Sequence, residues 1–157
     1  MGYNAIDIID KCIAIENKKM KVLETIANSN DSSAKVKIVV KVLEKEVDRT
    51  IKYYYNIKME LEEISDLADI DFRSYDKISF LMNEYIRKID LLEINYNSSK
   101  MFLETFLDLS KDKKALLVDI QGRLFNNMKV NDKTYKVLSQ IISFSNYEIR
   151  TIIKTIK

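Results

Sequence analysis

The chain has 157 residues, of which 46% are hydrophobic and 32% are charged, and its formal net charge is +2. This composition is typical of one folded domain with a real core and excludes a disordered chain. The sequence contains no histidine, which excludes histidine-based catalytic triads and the usual zinc sites. We expect residues 1–157 to form a single helical-bundle domain that is ordered nearly throughout.

Proline is absent, and glycine occurs only at Gly2 and Gly122. Because these residue types interrupt helices and shape hairpin turns, their scarcity favours long helices over sheets. The two isolated glycines form no phosphate-binding loop, so we expect no nucleotide-dependent catalysis and no enzyme. The single Cys12 can form no intrachain disulfide, which indicates a small buried thiol in a reducing compartment.

The location of the protein is predicted from the lack of membrane and export signals. No stretch approaches the roughly 20 apolar residues that a membrane-spanning helix needs. The first residues lack the charged start and apolar run of a secretory signal. The abundance of Lys, Asn, Ile and Tyr is typical of an AT-rich genome. We therefore expect a cytoplasmic bacterial protein without an integral membrane segment.

The first two helices are predicted from apolar residues that recur three and four positions apart. Residues 4–27 carry such a stripe, and the polar segment 28–33 can supply the N-cap of the next helix. In the second helix the alternation continues from Val36 to Ala68, which predicts a helix of roughly 36 residues. Because a parallel stripe widens its apolar face, this helix should contact neighbours on more than one side.

A third long helix is predicted from Ile78 to Phe106, where apolar residues again recur at helical spacing. It follows a link at residues 69–74, in which Asp71 or Ser74 can cap its first turn.

The last part of the chain is predicted to form an interrupted fourth helix. The charged segment 111–114 indicates a turn, and a shorter helix should follow over residues 115–128. Residues 131–132 can cap a final helix that continues to Ile156. The fold class is therefore all-α, an antiparallel four-helix bundle whose fourth helix breaks near Val130.

Two carboxylates lie on the predicted apolar stripes. Glu16 falls within the stripe of the first helix, and Glu46 occupies a stripe position of the second, with Arg49 three residues on. Residues three apart share one helix face, so Glu46 and Arg49 can form an ion pair. Because a buried carboxylate must be paired, protonated or bound to a metal, these positions are the first candidates for a functional site.

Residues 5–57 resemble the first helical hairpin of ferritin-like, rubrerythrin-type proteins. The family has a Glu on the first helix, a polar turn, and the pattern Leu-x-x-Glu-x-x-His on the second, and this chain has Leu43-x-x-Glu46-x-x-Arg49. Glu16 matches the metal ligand of the first helix in that family and Glu46 that of the second, whereas Arg49 occupies the position of the histidine. The resemblance implies a ferritin-like bundle with ligand positions on two hairpins.

In the second half of the chain, Glu93 and Glu148 are the nearest candidates for the other two carboxylate ligands. Thr151 stands where the second histidine of the family would lie. The di-iron site of the family uses a histidine on each of two helices, so we expect vestigial ligand positions and no metal or other cofactor.

An arginine at a former ligand position can replace the metal by its own charge. In this hypothesis Arg49 neutralises Glu16 and Glu46 through charge-assisted hydrogen bonds. The alternative is that Glu46 and Arg49 form an ordinary pair at the edge of the core, with Glu16 a polar residue that sets the helix register.

Two further features concern partners. The run Tyr53–Tyr55 can mark an interface, but consecutive helix residues face different directions, which favours core packing for at most two of them. From Lys111 onward the chain carries 10 Lys and Arg against 4 Asp and Glu. These cations are spread among isoleucines, which favours a solvated face over a nucleic-acid interface and leaves contact with a membrane surface as an alternative.

These observations favour a non-enzymatic, ferritin-like scaffold or binding protein that contacts a protein partner, or a second copy of itself as a dimer, through a helix face. One alternative is a protein of the same class that binds iron or manganese with carboxylates alone. Another is a helical chaperone of the secretion or flagellar-export type, which would also be small and rich in heptads.

Overall fold

The computed structural model describes residues 2–125 and 133–156. Helices comprise 82% of this part of the chain, and it contains no strand beyond one isolated bridge. The all-α prediction is therefore confirmed. The five described helices are α1 (Ala5–Ala27), α2 (Ala34–Glu62), α3 (Phe72–Asp90), α4 (Ser99–Phe125) and α5 (Lys133–Ile156).

Side-chain caps fix the starts of the first three helices. The Asn4 side chain accepts a hydrogen bond from the N–H of Ile6, and the Asp7 carboxylate accepts one from the N–H of Asn4, which completes a capping box. Ser33 caps α2 and Asp71 caps α3 in the same manner. The predictions of a cap within residues 28–33 and at Asp71 are confirmed.

The second helix ends earlier than predicted. It stops at Glu62, with Glu63 as its C-cap, rather than continuing to Ala68. The following segment instead runs back across the N-terminus, where the N–H of Ile70 donates to the carbonyl of Tyr3 at 2.6 Å. Apolar residues at helical spacing after Glu62 thus pack on the core from a non-helical link.

The predicted third helix is two helices separated by a link at residues 91–98. The side chain of Asn95 accepts hydrogen bonds from the N–H groups of Asn97 and Ser98, which gives the backbone a local alternative to the helix. The N–H of Ser33 donates to the carbonyl of Tyr96 at 2.8 Å, so the link is held against the α1–α2 turn. The prediction of one continuous helix from Ile78 to Phe106 is therefore wrong.

The turn predicted at residues 111–114 is wrong, since this segment lies in the middle of α4. Its three lysines are good helix formers, and two of its charged residues have specific partners. Lys113 is buried, and Asp112 forms an ion pair with Lys88 of α3. The charged residues of this segment thus make tertiary contacts from within a helix and do not mark a turn.

The packing contacts join the helices in a ring, in the order α2, α1, α3, α4, α5 and back to α2, with a further contact between α2 and α4. The most extensive contacts are those of α1 with α2 and of α4 with α5. The core lies inside the ring, where Tyr54, Met82 and Phe102 are among the fully buried side chains. The described residues form five helices, whereas the prediction was a bundle of four with the fourth interrupted. The four-helix bundle and its ferritin-like arrangement stay predictions.

The predicted end of a helix at Met128, the break near Val130 and the cap at residues 131–132 lie outside the described residues. The described helix α4 includes the segment predicted to be a separate short helix from Ala115 onward. The last helix, α5, continues to Ile156 as predicted.

Candidate functional site

Four ionisable side chains lie together inside the ring of helices. They are Glu16 and Lys19 of α1, Lys113 of α4 and Glu148 of α5, and we call them the charge cluster. Their side chains are no more than 8% exposed to solvent. Charged side chains are almost never this deeply buried unless they are paired.

The lysines of the charge cluster lie close to its carboxylates. Lys113 Nζ is 2.8 Å from Glu148 Oε1 and 3.5 Å from Glu16 Oε2. Lys19 Nζ is 3.2 Å from the same Glu16 oxygen. Two ammonium groups therefore compensate two carboxylates, and the cluster as a whole carries no net charge.

Helix periodicity places these charges in the interior. Lys113 lies on the buried face of α4 between Leu109 and Leu117, at i, i+4 and i+8. Lys19 lies three residues after Glu16 on the buried face of α1. The local sequence thus has the pattern of a core face in which charged residues replace apolar ones.

Tyrosines of two other helices surround the charge cluster. The ring of Tyr54 from α2 lies below the ammonium group of Lys113, with 5.8 Å from Nζ to the ring centroid. Tyr85 of α3 donates its hydroxyl to the carbonyl of Leu109 at 2.6 Å. Cys12 of α1 is also buried beside Glu16 and Lys113. With the two tyrosines, all five helices contribute side chains to this region.

Burial and ion pairing act in opposite directions on the pKa values of the charge cluster. Burial alone would raise the pKa of Glu16, but the ammonium groups of Lys113 and Lys19 hold it below its usual value. Burial would lower the pKa of Lys113, but Glu148 and Glu16 raise it well above the ordinary lysine value. For Lys19 burial dominates and lowers the pKa, even though Glu16 opposes it. At neutral pH the cluster contains a carboxylate and an ammonium group that strongly favour their charged forms.

The neighbouring neutral groups are held in their protonated forms. Burial raises the pKa of the Cys12 thiol to about 12 and raises the pKa of Tyr54 well above its usual value. Because the thiolate is the reactive form of cysteine, this thiol has no nucleophilic character near neutral pH. The expectation that Cys12 is a buried core residue is confirmed.

Two buried oxygens beside the charge cluster have no hydrogen-bond partner within the described residues. They are Glu16 Oε1 and the hydroxyl of Tyr54. An unsatisfied buried polar group costs roughly 1–3 kcal/mol. The cluster is therefore paired on one oxygen of Glu16 and unpaired on the other.

The predicted vestigial ligand positions divide into two groups. Glu16 and Glu148 come together in the charge cluster, on either side of Lys113. Glu46 is half-buried at the surface, where Arg49 Nη1 lies 3.3 Å from its Oε1. Glu93 is exposed in the link between α3 and α4 and belongs to neither group.

The prediction that Arg49 neutralises Glu16 is wrong. The Arg49 side chain is 53% exposed, pairs with Glu46 and donates to the hydroxyl of Tyr147 at 2.8 Å. Its position on α2 directs it to the surface beside α5, and the partners of Glu16 are lysines instead. The alternative interpretation, an ordinary pair at the edge of the core, is the correct one for Glu46 and Arg49.

Sequence reasoning missed both lysines of the charge cluster. Lys113 was hidden in a segment interpreted as a turn, although its spacing from Leu109 and Leu117 is that of the buried stripe. Lys19 was passed over in favour of the adjacent Met20, which is only partly buried. The available signal was a lysine on a buried stripe: Lys113 lies four residues from each of two leucines, and Lys19 lies three residues after the inward Glu16.

The tyrosine run is arranged largely as predicted. Tyr54 is fully buried, Tyr53 is half-buried and stacks on Phe144 of α5, and Tyr55 is exposed. Core packing therefore accounts for the first two.

Chemically, the charge cluster has the composition of a closed ion-pair network. No group of three or more His, Cys, Asp or Glu side chains suited to a metal ion occurs among residues 2–125 and 133–156.

No helix in the same part of the chain is long and apolar enough to cross a membrane.

Comparison with known proteins gives no relative. No family model, no curated protein and no solved structure matches the chain. The charge cluster itself is therefore the starting point for a function.

Proposed function

We propose that this chain is a non-enzymatic, ferritin-like helical bundle that acts as a scaffold or binding protein through a helix face. The observation that supports it is the position of Lys113 Nζ between the carboxylates of Glu148 and Glu16. In the family that residues 5–57 resemble, carboxylates from facing helices hold metal ions in the bundle interior. Here an ammonium group of the chain lies between two such carboxylates.

Metal binding at this place is opposed by the lysines. Two like unit charges 4 Å apart repel each other by roughly 4 kcal/mol at an effective dielectric constant of 20, and a divalent ion is repelled about twice as strongly. A metal ion bound by Glu16 and Glu148 would have to displace Lys113, and the displaced ammonium group would then lack its partners. The charge cluster is therefore assigned as a network of ion pairs and not as a metal site, and the binding function is assigned to the surface.

The surface offers apolar side chains along the helices for such a contact. On α2, Ile38 and Val42 are exposed one turn apart, and so are Tyr55 and Met59. Exposed apolar residues that share a helix face are the kind of feature by which protein partners recognise helical proteins.

The first test is metal content. Protein from iron-rich and manganese-rich cultures, and apoprotein titrated anaerobically with Fe(II) and Mn(II), should hold well under one equivalent per chain. Lys113→Gln provides the informative variant, since it removes the ammonium group from between the carboxylates. Lys52→Gln, an exposed lysine of α2, is its control. Two tightly held metal ions in the unchanged protein would overturn the proposal in favour of the carboxylate-only alternative.

The second test is the surface contact. Cross-linking in the native host should give products whose cross-links map to one helix face, either to a partner protein or to a second copy of the chain. Recovery of the chain as a monomer without cross-links under these conditions would contradict a scaffold or binding role.

A further inference from the structure

A shallow groove of about 520 Å³ lies on the outer side of the α4–α5 pair. Ala115 and Val118 of α4 and Ile149 of α5 form its apolar floor and walls. Lys111 and Lys114 line one part of it, and Asn146 supplies its only neutral polar side chain. Val118 is 47% exposed, so the apolar surface is accessible.

The charge of this groove distinguishes it from two other surface grooves. The groove between α1 and α2 is lined by Lys41 and Lys45 together with three carboxylates, so the carboxylates outnumber the lysines. A groove beside α3 is lined by two lysines and two carboxylates, Lys88, Lys111, Asp108 and Asp112, and Lys88 pairs with Asp112. Lys111 therefore lies between this groove and the α4–α5 groove. By contrast, no carboxylate lines the α4–α5 groove, and neither Lys111 nor Lys114 forms an ion pair within the described residues.

The apolar surface continues from the groove along α4. Gly122 follows Val118 by one turn, and a Cβ built there would meet no atom within 4 Å. Phe125, almost one further turn on, is 47% exposed. From Ala115 to Phe125 this stripe is roughly 15 Å long, which corresponds to about three turns of a second helix. The absence of a side chain at Gly122 allows another backbone to approach closely.

We propose that the α4–α5 groove binds an acidic amphipathic helix of a partner protein. The apolar face of that helix packs on Ala115, Val118 and Ile149, and its carboxylates pair with Lys111 and Lys114. This proposal rests on the proposed function and specifies the surface and the class of partner through which it operates.

The shape of the surface selects a helix over a lipid bilayer. Two adjacent antiparallel helices present a groove into which the ridge of a third helix fits. A bilayer surface instead accepts a convex, continuous apolar helix face. The uncompensated lysines then favour a helix that carries carboxylates beside its apolar stripe.

The test uses a designed peptide of about 15 residues, long enough for four turns, with Leu at i, i+3, i+7 and i+11 and Glu at the flanking positions. One control peptide replaces each Glu with Lys, and another replaces each Leu with Ala. Binding to the full chain is measured by fluorescence anisotropy, and the contact surface is mapped by backbone amide chemical shifts. The acidic peptide should bind with a dissociation constant on the order of 100 μM or lower, and the shifts should lie on α4 and α5.

Two protein variants with the same change in net charge separate the groove from general electrostatics. Lys111→Glu with Lys114→Glu should weaken binding by roughly tenfold or more, since two attractive charges become repulsive. Lys41→Glu with Lys45→Glu, in the groove between α1 and α2, should change it less than about twofold. Val118→Asp tests the apolar floor independently and should also weaken binding. Circular dichroism verifies that each variant is folded.

The proposal is overturned if the acidic peptide does not bind or if the two charge-reversed variants weaken binding equally. A second outcome that overturns it is binding of the chain to vesicles of anionic phospholipid, lost in Lys111→Glu with Lys114→Glu, while the peptide does not bind. The groove would then bind a lipid surface. Self-association of the chain that Val118→Asp removes would assign the groove to a second copy. Cross-links to a partner on another helix face, together with no peptide binding, would reject the groove and leave the proposed function standing.

Discussion

Lys113 Nζ and Glu148 Oε1 are 2.8 Å apart in the interior of the helix ring, and their side chains are 3% and 8% exposed. Removal of one partner from a buried pair leaves an uncompensated charge, which typically costs 3–5 kcal/mol. This relationship determines how the protein should respond to substitution in its core.

Lys113→Met should lower the free energy of unfolding by roughly 3–5 kcal/mol, because Glu148 then lacks a partner and Glu16 retains only Lys19. Chemical denaturation followed by circular dichroism measures this effect. The neighbouring Lys114→Met, a change of the same size outside the charge cluster, should alter it by no more than about 0.5 kcal/mol. Lys113→Met combined with Glu148→Leu should cost clearly less than the two single changes together. Additive effects would show that the pair is not energetically coupled.

Acid should destabilise the protein through Glu16. Its folded pKa is lowered from 4.5, so the folded state binds fewer protons than the unfolded state in this region and stability rises with pH. The contribution is fully present above the unfolded value and is lost as the pH falls through the lower folded pKa. Denaturation midpoints measured from pH 7 to pH 2 should therefore fall in acid, and they should fall less steeply in Glu16→Gln. An identical acid dependence in the two proteins would contradict the lowered pKa.

Arg49→Ala should cost no more than about 1 kcal/mol, because the Arg49 side chain is exposed and its pair with the half-buried Glu46 lies at the surface, where solvent screens it. Glu46→Gln should have an equally small effect, and the double variant should show little coupling. Chemical denaturation of the three variants tests this. A loss of several kcal/mol would mean that Arg49 compensates a buried carboxylate after all.

Tyr54→Phe and Tyr85→Phe should differ in their effect on the free energy of unfolding. The Tyr54 hydroxyl is buried without a hydrogen-bond partner within the described residues, so its removal should stabilise the protein by about 1 kcal/mol or leave stability unchanged. The Tyr85 hydroxyl donates to the carbonyl of Leu109, so its removal should cost about 1 kcal/mol or more. The comparison uses the same chemical change in the same core. A large loss for Tyr54→Phe would contradict a hydroxyl without a hydrogen-bond partner.

Sequence periodicity predicted the helical fold, the burial of Glu16 and the caps of α2 and α3, because these depend on local spacing and local hydrogen bonds. It failed where a long-range contact overrides a local pattern. The link at residues 91–98 is held against the α1–α2 turn by the hydrogen bond from Ser33 to Tyr96, which joins parts of the chain far apart in sequence. Lys113 was missed as a partner of Glu16 for the same reason, since it is 97 residues away.

The ring order of the five helices was also beyond the reach of periodicity. A stripe of apolar residues states which face of a helix is buried, but not against which neighbour it packs. Arg49 illustrates the consequence. Its spacing correctly predicted an ion pair with Glu46, but this pair lies at the surface beside α5 and not next to Glu16.

The charge cluster also restricts how this sequence can change over generations. A single substitution at Glu16, Lys19, Lys113 or Glu148 strands a charge in the interior, whereas a matched pair of substitutions can replace an ion pair with apolar contacts at little cost. We therefore expect these four positions to covary among homologous sequences, with Lys113 and Glu148 either both present or both replaced. The solvated pair of Glu46 and Arg49 carries no such constraint, and each of its members should drift independently.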